Sequence, residues 1–465
     1  MKGRDFKNLT KIEILFFLVL IVASFLTQSI IVLFVGALLL IIFDKRFIVS
    51  FLLITPIFEN LFIVTKNLSI TKMIVIFIIL LFGFKLISLR RLKINKYVTL
   101  IFIFLILLVW GLANACNNDI ISLKLQNSNL FLENFLNYFP KILFAFLLFE
   151  FFSVNDDLQK LLFQNLTFSL LLIPLFLLLV TIYFVFFQRE TVGFSVVYFT
   201  LPKTPHGEFT AILASLTPYC WYLILLERNK SKLILGVISL ISVFVVIMMA
   251  ASRNGFLSFI LGCTLSLYFL KNFLQKKGKY VLVIFAISII ILLILNFIDL
   301  SKIPLYQRFS GKYTYTLEIL TSKRNLYWGA ALKAFTIRPL TGYGGYMQIS
   351  SAVNSIYTGE YDVFHNTFLD ILVQYGVIGF LVYVFLLFNI FKDFYRIVNN
   401  KQRKLMPHSV ILIPFLSFFV LIFASMGLSW LWREIVWYHI GICIAISINM
   451  KDTTLLSMWR ETKIS

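Results

Sequence analysis

Four basic side chains in the second half of the sequence are of types that bind anions or accept protons: Arg253 in ASRNGF, Arg308 in YQRFS, Arg324 in TSKRN and His365 in VFHNTF. Guanidinium groups contact phosphate through two parallel N–H groups and stay charged at any relevant pH. Histidine accepts a proton near neutral pH and can act as a general base. Together these residues predict a site that holds a phosphate-like anion beside a proton acceptor.

Each of these residues also has a purely structural explanation. An arginine near a bilayer can extend its charge to the lipid headgroups or cap a carbonyl, and a histidine can donate to a backbone carbonyl. Several arginines beside one histidine on one side of a membrane favour the anion site. His206, in PKTPHGEF, lies on the same predicted side and can line the same cleft, whereas His408 and His439 lie in a cytoplasmic loop and in the last predicted span.

Patterns that point to bound nucleotides or metals are missing from the sequence. It contains no Walker-type glycine loop, no HExxH motif and no cluster of cysteine and histidine. These are the motifs that would indicate such a group. We therefore predict no cofactor and no metal site.

The composition indicates where the elements that position these residues must lie. Of the 465 residues 60% are hydrophobic and 14% are charged, and the mean hydropathy is +0.92. Soluble domains are about 45–50% apolar, and a run of about 20 apolar residues suffices to cross a bilayer. We predict an all-α polytopic membrane protein with about 12–14 transmembrane helices, organised as one domain over residues 1–465.

The apolar runs give the positions of the predicted spans. The first two are separated only by TQS, so twelve or thirteen spans remain open alternatives to fourteen. The predicted spans cover residues 12–27, 29–43, 47–65, 70–89, 97–114, 134–152, 161–187, 208–226, 233–250, 255–270, 280–299, 366–391, 409–427 and 434–449.

The distribution of Lys and Arg indicates how the spans are oriented, because cytoplasmic loops are enriched in these residues. With the N-terminus inside, the cytoplasmic segments hold 27 of the 42 Lys and Arg residues. This bias accounts for most of the net charge of +21. No nucleic-acid partner is needed to explain the basic composition, and none is predicted.

One connection is much longer than the others. Residues 300–365 contain no spanning run and form a predicted extracytoplasmic loop, and loops of this length are usually functional. Within it, TSKRNLYWGAALKAFTIRPL predicts a short helix that ends at Pro339 and is followed by the glycine-rich turn TGYGGY. The residues predicted to share one face of this helix are Arg324, Trp328, Ala331 and Phe335.

The segment HNTFLDILVQYGVIG predicts how His365 is placed. On a helix that begins at the histidine, His365 would share a stripe with Leu372, Gly376 and Gly379. Small residues at this spacing favour close helix packing. His365 is therefore predicted to face protein at the outer end of a packed helix.

These segments resemble a known family. The form His-Asn, nine residues, then G-x-x-G is similar to the signature of the O-antigen ligase and O-antigen polymerase superfamily. ASRNG and SKRNLYWGAALKAFTIRPLTGYGG, upstream of the histidine, resemble the arginine-containing segments of the same family. The similar region runs from about Val243 to Phe391. Gln374 departs from the pattern, because many relatives have glutamate there, so any role for a carboxylate at this position is in doubt.

The resemblance implies an inverting, metal-independent glycosyltransferase of the bacterial cytoplasmic (inner) membrane, with its active site on the outer face. The donor would be an undecaprenyl-diphosphate-linked oligosaccharide. The acceptor would be a glycan, on either a lipid-linked repeat or lipid A core. Membrane lipids surround the enzyme, and a chain-length regulator is a further partner that the family allows.

The resemblance also suggests roles for individual residues. Arg253 and Arg324 would hold the donor diphosphate, and His365 would activate the acceptor hydroxyl. Trp328, with Tyr343 and Tyr346, is available to stack on sugar faces. The remaining substrate-binding candidates are Arg308, Asn366 and His206.

Three functions compete for the same residues. Polymerisation of O-antigen or capsular repeat units is favoured, because outer segments such as 115–132 and 188–207 suit a cleft for a second repeat. The first alternative is an O-antigen ligase that transfers the glycan to lipid A core. The second is a transporter or flippase of a lipid-linked sugar, but transporters usually carry internal repeats and a site at the midplane.

Overall fold

The structure is a computed structural model that describes residues 63–65, 68–69, 96–116, 206–226, 230–250, 252–270, 323–345, 349–399, 408–429 and 434–449. These residues are mostly helical, which agrees with the predicted all-α class. The exception is a short antiparallel pair formed by β1 (Ile63–Thr65) and β2 (Leu68–Ser69). The helical prediction for 47–65 is therefore wrong for its last three residues. These are Ile63, Val64 and Thr65, and all three residue types favour strands.

Ten helices occur in this part of the chain. They are α1 (Lys96–Cys116), α2 (His206–Ser215), α3 (Thr217–Leu225), α4 (Lys230–Met249), α5 (Arg253–Phe269), α6 (Arg324–Ile337), α7 (Ile349–Tyr357), α8 (Thr367–Asn399), α9 (His408–Ser425) and α10 (Glu434–Asn449).

Seven predicted spans coincide with helices: α1, the pair α2 and α3, α4, α5, α8, α9 and α10. Two described helical stretches, Lys230–Met248 and Thr367–Asn399, are long and apolar enough to cross a membrane, and four others are apolar but shorter. The predicted spans at 12–27, 29–43, 70–89, 134–152, 161–187 and 280–299 lie outside the described residues. The full number of spans stays a prediction.

Glycines allow the helices of the bundle to approach closely, as is usual for helices packed within a membrane. A Cβ on Gly262 of α5 would lie 3.0 Å from Cβ of Thr217, and one on Gly236 of α4 would lie 2.9 Å from Cβ of Leu223. At the start of α5, a Cβ on Gly255 would collide with Thr210. Since Thr210 of α2 pairs with Gly255 and Thr217 of α3 pairs with Gly262, the consecutive helices α2 and α3 run parallel to α5.

Helix α1 packs between α8 and α10 through its aromatic side chains. The Phe104 ring lies 5.2 Å from the Trp437 ring, 6.0 Å from the Tyr375 ring and 6.3 Å from the Tyr383 ring, centroid to centroid. All four side chains are buried. This cluster fixes α8 against the rest of the bundle.

A polar cluster joins α1 to the last turns of α8. Tyr97 donates to Asp393 at 2.5 Å, Lys96 donates to Asn389 at 2.8 Å, and Arg396 donates to Asp393 at 3.1 Å. The two helices are therefore antiparallel. We call this the far end of the bundle, and it is the predicted cytoplasmic end.

Helix α8 is broken in its first half. Gly376 has φ 64° and ψ −164°, which are not helical values. The N–H of Val377 donates to the carbonyl of Pro339 at 2.8 Å. A Cβ on Gly376 would collide with the carbonyl of Leu340. Only glycine fits, because φ is positive and foreign backbone passes directly beside the residue.

The carbonyls that precede the break are also paired with the segment after α6. Tyr343 donates its N–H to Val373, and Gly344 donates its N–H to Gln374, both at 2.8 Å. A broken helix in a membrane needs such partners, because each unpaired backbone group costs on the order of several kcal/mol in hydrocarbon. The predicted glycine-rich turn is confirmed, and it is inserted into the break of α8.

The predicted histidine stripe is wrong. His365 precedes α8 and has φ 52°, so it does not lie on a helical face with Leu372, Gly376 and Gly379. Gly376 does approach another segment closely, as small residues predicted, but that segment is the backbone at Leu340 and not a second helix. Local spacing could not show this, because the break depends on a distant partner.

The segment 323–365 is folded against the start of α8. The predicted helix is confirmed as α6, although its buried residues are Tyr327, Ala330, Ala331 and Ala334, with Arg324 and Trp328 half-buried beside them. Helix α7 was not predicted. The small core between these elements consists of Tyr327, Ala331, Ala334, Tyr343, Ile349, Val353, Phe364 and Val373.

We predict that Gly376→Ala lowers the free energy of unfolding by at least about 1–2 kcal/mol, because alanine is strained at positive φ and its Cβ would displace Leu340. The matched control is Gly329→Ala in α6, where a Cβ meets nothing within 4 Å. Size-exclusion chromatography of detergent-solubilised protein, heated beforehand to a series of temperatures, gives the thermal midpoint of each variant. Equal thermal midpoints for the two variants would contradict this reading of the break.

Candidate functional site

The two arginine segments meet at Gly427, in the turn after α9. A Cβ on Gly427 would lie 3.2 Å from Nη1 of Arg324 and 3.2 Å from Oδ1 of Asn254. Asn254 also donates its Nδ2–H to the carbonyl of Ala424 at 3.0 Å. The first turns of α5 and α6 are thereby held at the same end of the bundle, opposite the far end.

Arg253 is the first residue of α5. Ser252 caps this helix by accepting the N–H of Gly255 at 3.1 Å. The Arg253 side chain is half-buried, and its Nε atom is buried. Arg253 therefore precedes Asn254 in the chain, and the side-chain amide of Asn254 lies beside Gly427, as does the guanidinium of Arg324.

His365 faces a carboxylate that sequence reasoning missed. Its Nε2 lies 3.3 Å from Oδ2 of Asp362. The side chains are 30% and 46% exposed, respectively, so a ligand can reach both. The pair is accessible and polar, as a site for proton transfer requires.

Arg324 acts on the same carboxylate. Burial alone would raise the pKa of Asp362, but the hydrogen bond and charge of His365, the N–H of Val363 and the charge of Arg324 together lower it. Asp362 is therefore ionised at neutral pH. It links the arginine part of the site to the histidine electrostatically.

The backbone that leads into His365 is held by side chains from α6 and α7. Trp328 of α6 donates its Nε1–H to the carbonyl of Phe364 at 3.0 Å. Asn354 of α7 donates to the carbonyl of Asp362 at 2.6 Å. These contacts keep His365 in a left-handed conformation that costs about 1–3 kcal/mol for a residue other than glycine.

A second carboxylate anchors the start of α6. Lys323 donates to Oε1 of Glu360 at 2.6 Å, and Tyr327 donates to Oε2 at 2.5 Å. The pKa of Glu360 is lowered by the Lys323 hydrogen bond and then by that of Tyr327. The Tyr327 ring lies 6.4 Å from the His365 ring. This network holds α6 beside the histidine.

Asn366 serves as the N-cap of α8. Its Oδ1 accepts the N–H groups of Phe368 at 3.0 Å and Leu369 at 3.2 Å, which would otherwise be unpaired at a helix start. The neighbouring Thr367 donates to the carbonyl of Leu428 at 2.7 Å, next to Gly427. The Asn366 side chain therefore has a clear structural role, and its predicted contact with substrate stays a prediction.

The remaining predicted residues are distributed as follows. His206 is the first residue of α2, and because α2 is parallel to α5 it begins at the same end as Arg253. Arg308 and Tyr346 lie outside the described residues. Gln374 is fully buried beside the break, and its side-chain amide has no hydrogen-bond partner among the residues that the structure describes. A glutamate there would bury an ionised group at much greater cost.

The sequence predicted no role in the site for Asp362, Tyr327, Glu360 or Gly427. Asp362 stands three residues before His365, a spacing that was visible in YDVFHN but has a meaning only once the turn at His365 is known. Gly427 carries no signal in the sequence, because its importance comes from contacts with α5 and α6.

Comparison with known proteins points to a family. A search among curated proteins gives no match. Residues 237–384 match the family model for O-antigen ligase, and this range contains Arg253, Arg324 and His365 together with the break in α8. This match covers about a third of the chain and, together with the motifs within it, supports membership of the O-antigen ligase and polymerase superfamily.

Proposed function

We propose that the protein is an inverting, metal-independent glycosyltransferase that moves a glycan from undecaprenyl diphosphate to a sugar hydroxyl at the outer face of the bacterial inner membrane. Members of the superfamily are glycosyltransferase-like ligases and polymerases, which supports an enzyme acting on lipid-linked glycans. The observation that carries the proposal is the meeting of Arg324 with the start of α5 at Gly427. The charge of Arg324 also lowers the pKa of Asp362, the carboxylate that faces His365.

The proposed reaction needs a base and a stabilised leaving group. His365 takes the proton of the acceptor hydroxyl. The oxygen of that hydroxyl attacks the anomeric carbon of the donor sugar from the face opposite the diphosphate. The bond from that carbon to the diphosphate oxygen breaks, and its electron pair leaves with the diphosphate. Arg253 and Arg324 neutralise the charge that develops there, as fixed cations do in a site that excludes water.

The location of these groups suits a lipid-linked donor. The polyprenyl chain would lie in the bilayer beside the apolar helices, and its diphosphate would reach the end of the bundle where α5, α6 and α8 begin. Arginine is a better choice here than lysine, because its planar group can contact two phosphate oxygens at once. The half-exposed Trp328 is available to a sugar face, while its N–H is used by Phe364.

The acceptor decides between the two activities of the superfamily. We propose polymerisation of O-antigen or capsular repeat units, since the chain carries predicted outer segments beyond the loop at 300–365. The family model that matches the chain is that of the ligase, which favours transfer to lipid A core as the second candidate. Both activities use the same donor and the same chemistry at His365.

We predict that Arg253→Lys and Arg324→Lys each lower the rate of transfer by about 10²-fold or more, because lysine keeps the charge but loses the two-pronged contact. Arg338→Lys is the matched control, since Arg338 is exposed at the end of α6. Initial rates with a radiolabelled lipid-linked donor measure the effect. Wild-type rates in both test variants would show that these arginines only contact lipid headgroups or backbone.

We predict that purified enzyme given its lipid-linked repeat alone forms a ladder of longer glycans on a gel, with His365→Ala as the inactive control. Transfer that appears only after lipid A core is added would show that the protein is a ligase. No product with either acceptor, combined with movement of the lipid-linked glycan across vesicles, would instead support a transporter.

A further inference from the structure

We propose that Asp362 is a positioning residue that holds the Nε2–H of His365, so that Nδ1 is the atom that takes the proton of the acceptor hydroxyl. This inference rests on the proposed function, because it specifies how the base of that reaction is prepared. It concerns a residue outside the histidine motif itself.

The hydrogen bond between His365 and Asp362 can have only one direction. Nε2 of His365 lies 3.3 Å from Oδ2 of Asp362. An ionised carboxylate can only accept, so the nitrogen that faces it must carry the hydrogen. A neutral imidazole has one N–H and one acceptor nitrogen. Nδ1 is therefore left with the lone pair that can accept a proton.

The Asp362 carboxylate is itself held in place. Its other oxygen, Oδ1, accepts the N–H of Val363 at 2.8 Å. The backbone carbonyl of Asp362 accepts from Asn354 at 2.6 Å. The nearby charge of Arg324 helps to keep the pKa of the carboxyl low. Oδ2 is thus an ionised acceptor in a defined place.

The backbone of His365 is also held in place. His365 has φ 52°, between a carbonyl held by Trp328 and an Asn366 side chain that caps α8. This turn directs the histidine back toward the residue three positions earlier. A partly exposed contact between a histidine and a carboxylate contributes little to stability, so orientation of the base is the better explanation for a strained turn at this point.

The proton balance of the step is simple. As the acceptor oxygen bonds to the anomeric carbon, its proton moves to Nδ1, and the imidazole becomes an imidazolium that still donates Nε2–H to Asp362. The diphosphate leaves with the electron pair of the broken carbon–oxygen bond. Loss of the Nδ1 proton to water then restores the base, and Asp362 stays ionised throughout.

The test reads the tautomer of His365 directly. The protein has only four histidines, so ¹⁵N-histidine labelling of the full chain in detergent gives a simple spectrum, and His365→Ala identifies the signal. We expect the Nε2–H tautomer in the wild-type protein at a pH where the ring is neutral. The Nδ1–H tautomer in the wild type would overturn the proposal without any need for a variant.

Asp362→Asn sharpens this test. The asparagine oxygen stays with the Val363 N–H, so its NH₂ group faces Nε2 and the ring must switch to Nδ1–H. We expect the switched tautomer and a kcat lowered by about 10²–10⁴-fold, with little change in the KM for the donor. Glu360→Gln is the matched control, because it removes a carboxylate two residues away that contacts Lys323 and Tyr327. It should leave the tautomer unchanged.

The outcomes separate this inference from the proposed function. A wild-type rate in His365→Ala would remove the general base and the proposed mechanism with it. An inactive His365→Ala together with a fully active Asp362→Asn would leave the mechanism intact and overturn the role of Asp362. A loss of kcat in Asp362→Asn without a change of tautomer would also overturn it, because the residue would then act in another way.

Discussion

The site depends on three backbone hydrogen bonds that join the segment after α6 to the break in α8. Pro339 accepts the N–H of Val377, and the N–H groups of Tyr343 and Gly344 pair with the carbonyls before Gly376. A broken helix needs these partners in an apolar environment, and the segment gains a fixed attachment in return. Helix α6 leads directly into this segment. The N-terminal part of α6 carries Arg324 and Trp328, and it is therefore coupled to the start of α8, which follows His365.

Around this attachment, charges are arranged so that one carboxylate serves two groups. Asp362 contacts the imidazole of His365 and experiences the charge of Arg324. In the proposed reaction the arginines carry the diphosphate charge and the histidine carries the acceptor proton. Glu360, two residues earlier, has a mechanical role, since it ties Lys323 and Tyr327 to the same turn. The segment 360–366 therefore combines positioning with chemistry over very few residues.

Local signals predicted part of this from the sequence. Apolar runs predicted α1, α4, α5, α8, α9 and α10, since hydropathy depends only on neighbours along the chain. The family motif singled out Arg324 and His365, and the charge of Arg324 acts on Asp362, the carboxylate beside His365. The break at Gly376 was missed because Gly376 and Gly379 look equivalent in sequence, and only contact with Leu340 distinguishes them. The roles of Asp362 and Gly427 were missed for the same reason, as each depends on a turn or a contact that the sequence alone does not specify.

The proposed reaction takes place at the outer face of the membrane, and thiol labelling of intact cells shows on which side the site lies. In a background without Cys116, Cys220, Cys263 and Cys443, Tyr361→Cys lies beside Asp362 and Tyr395→Cys lies near the far end, and both tyrosines are 61% exposed. We predict that a membrane-impermeant maleimide labels the first variant in intact cells and the second only after permeabilisation. Labelling of Tyr361→Cys only after permeabilisation would place the site in the cytoplasm and rule out the proposed function at the outer face.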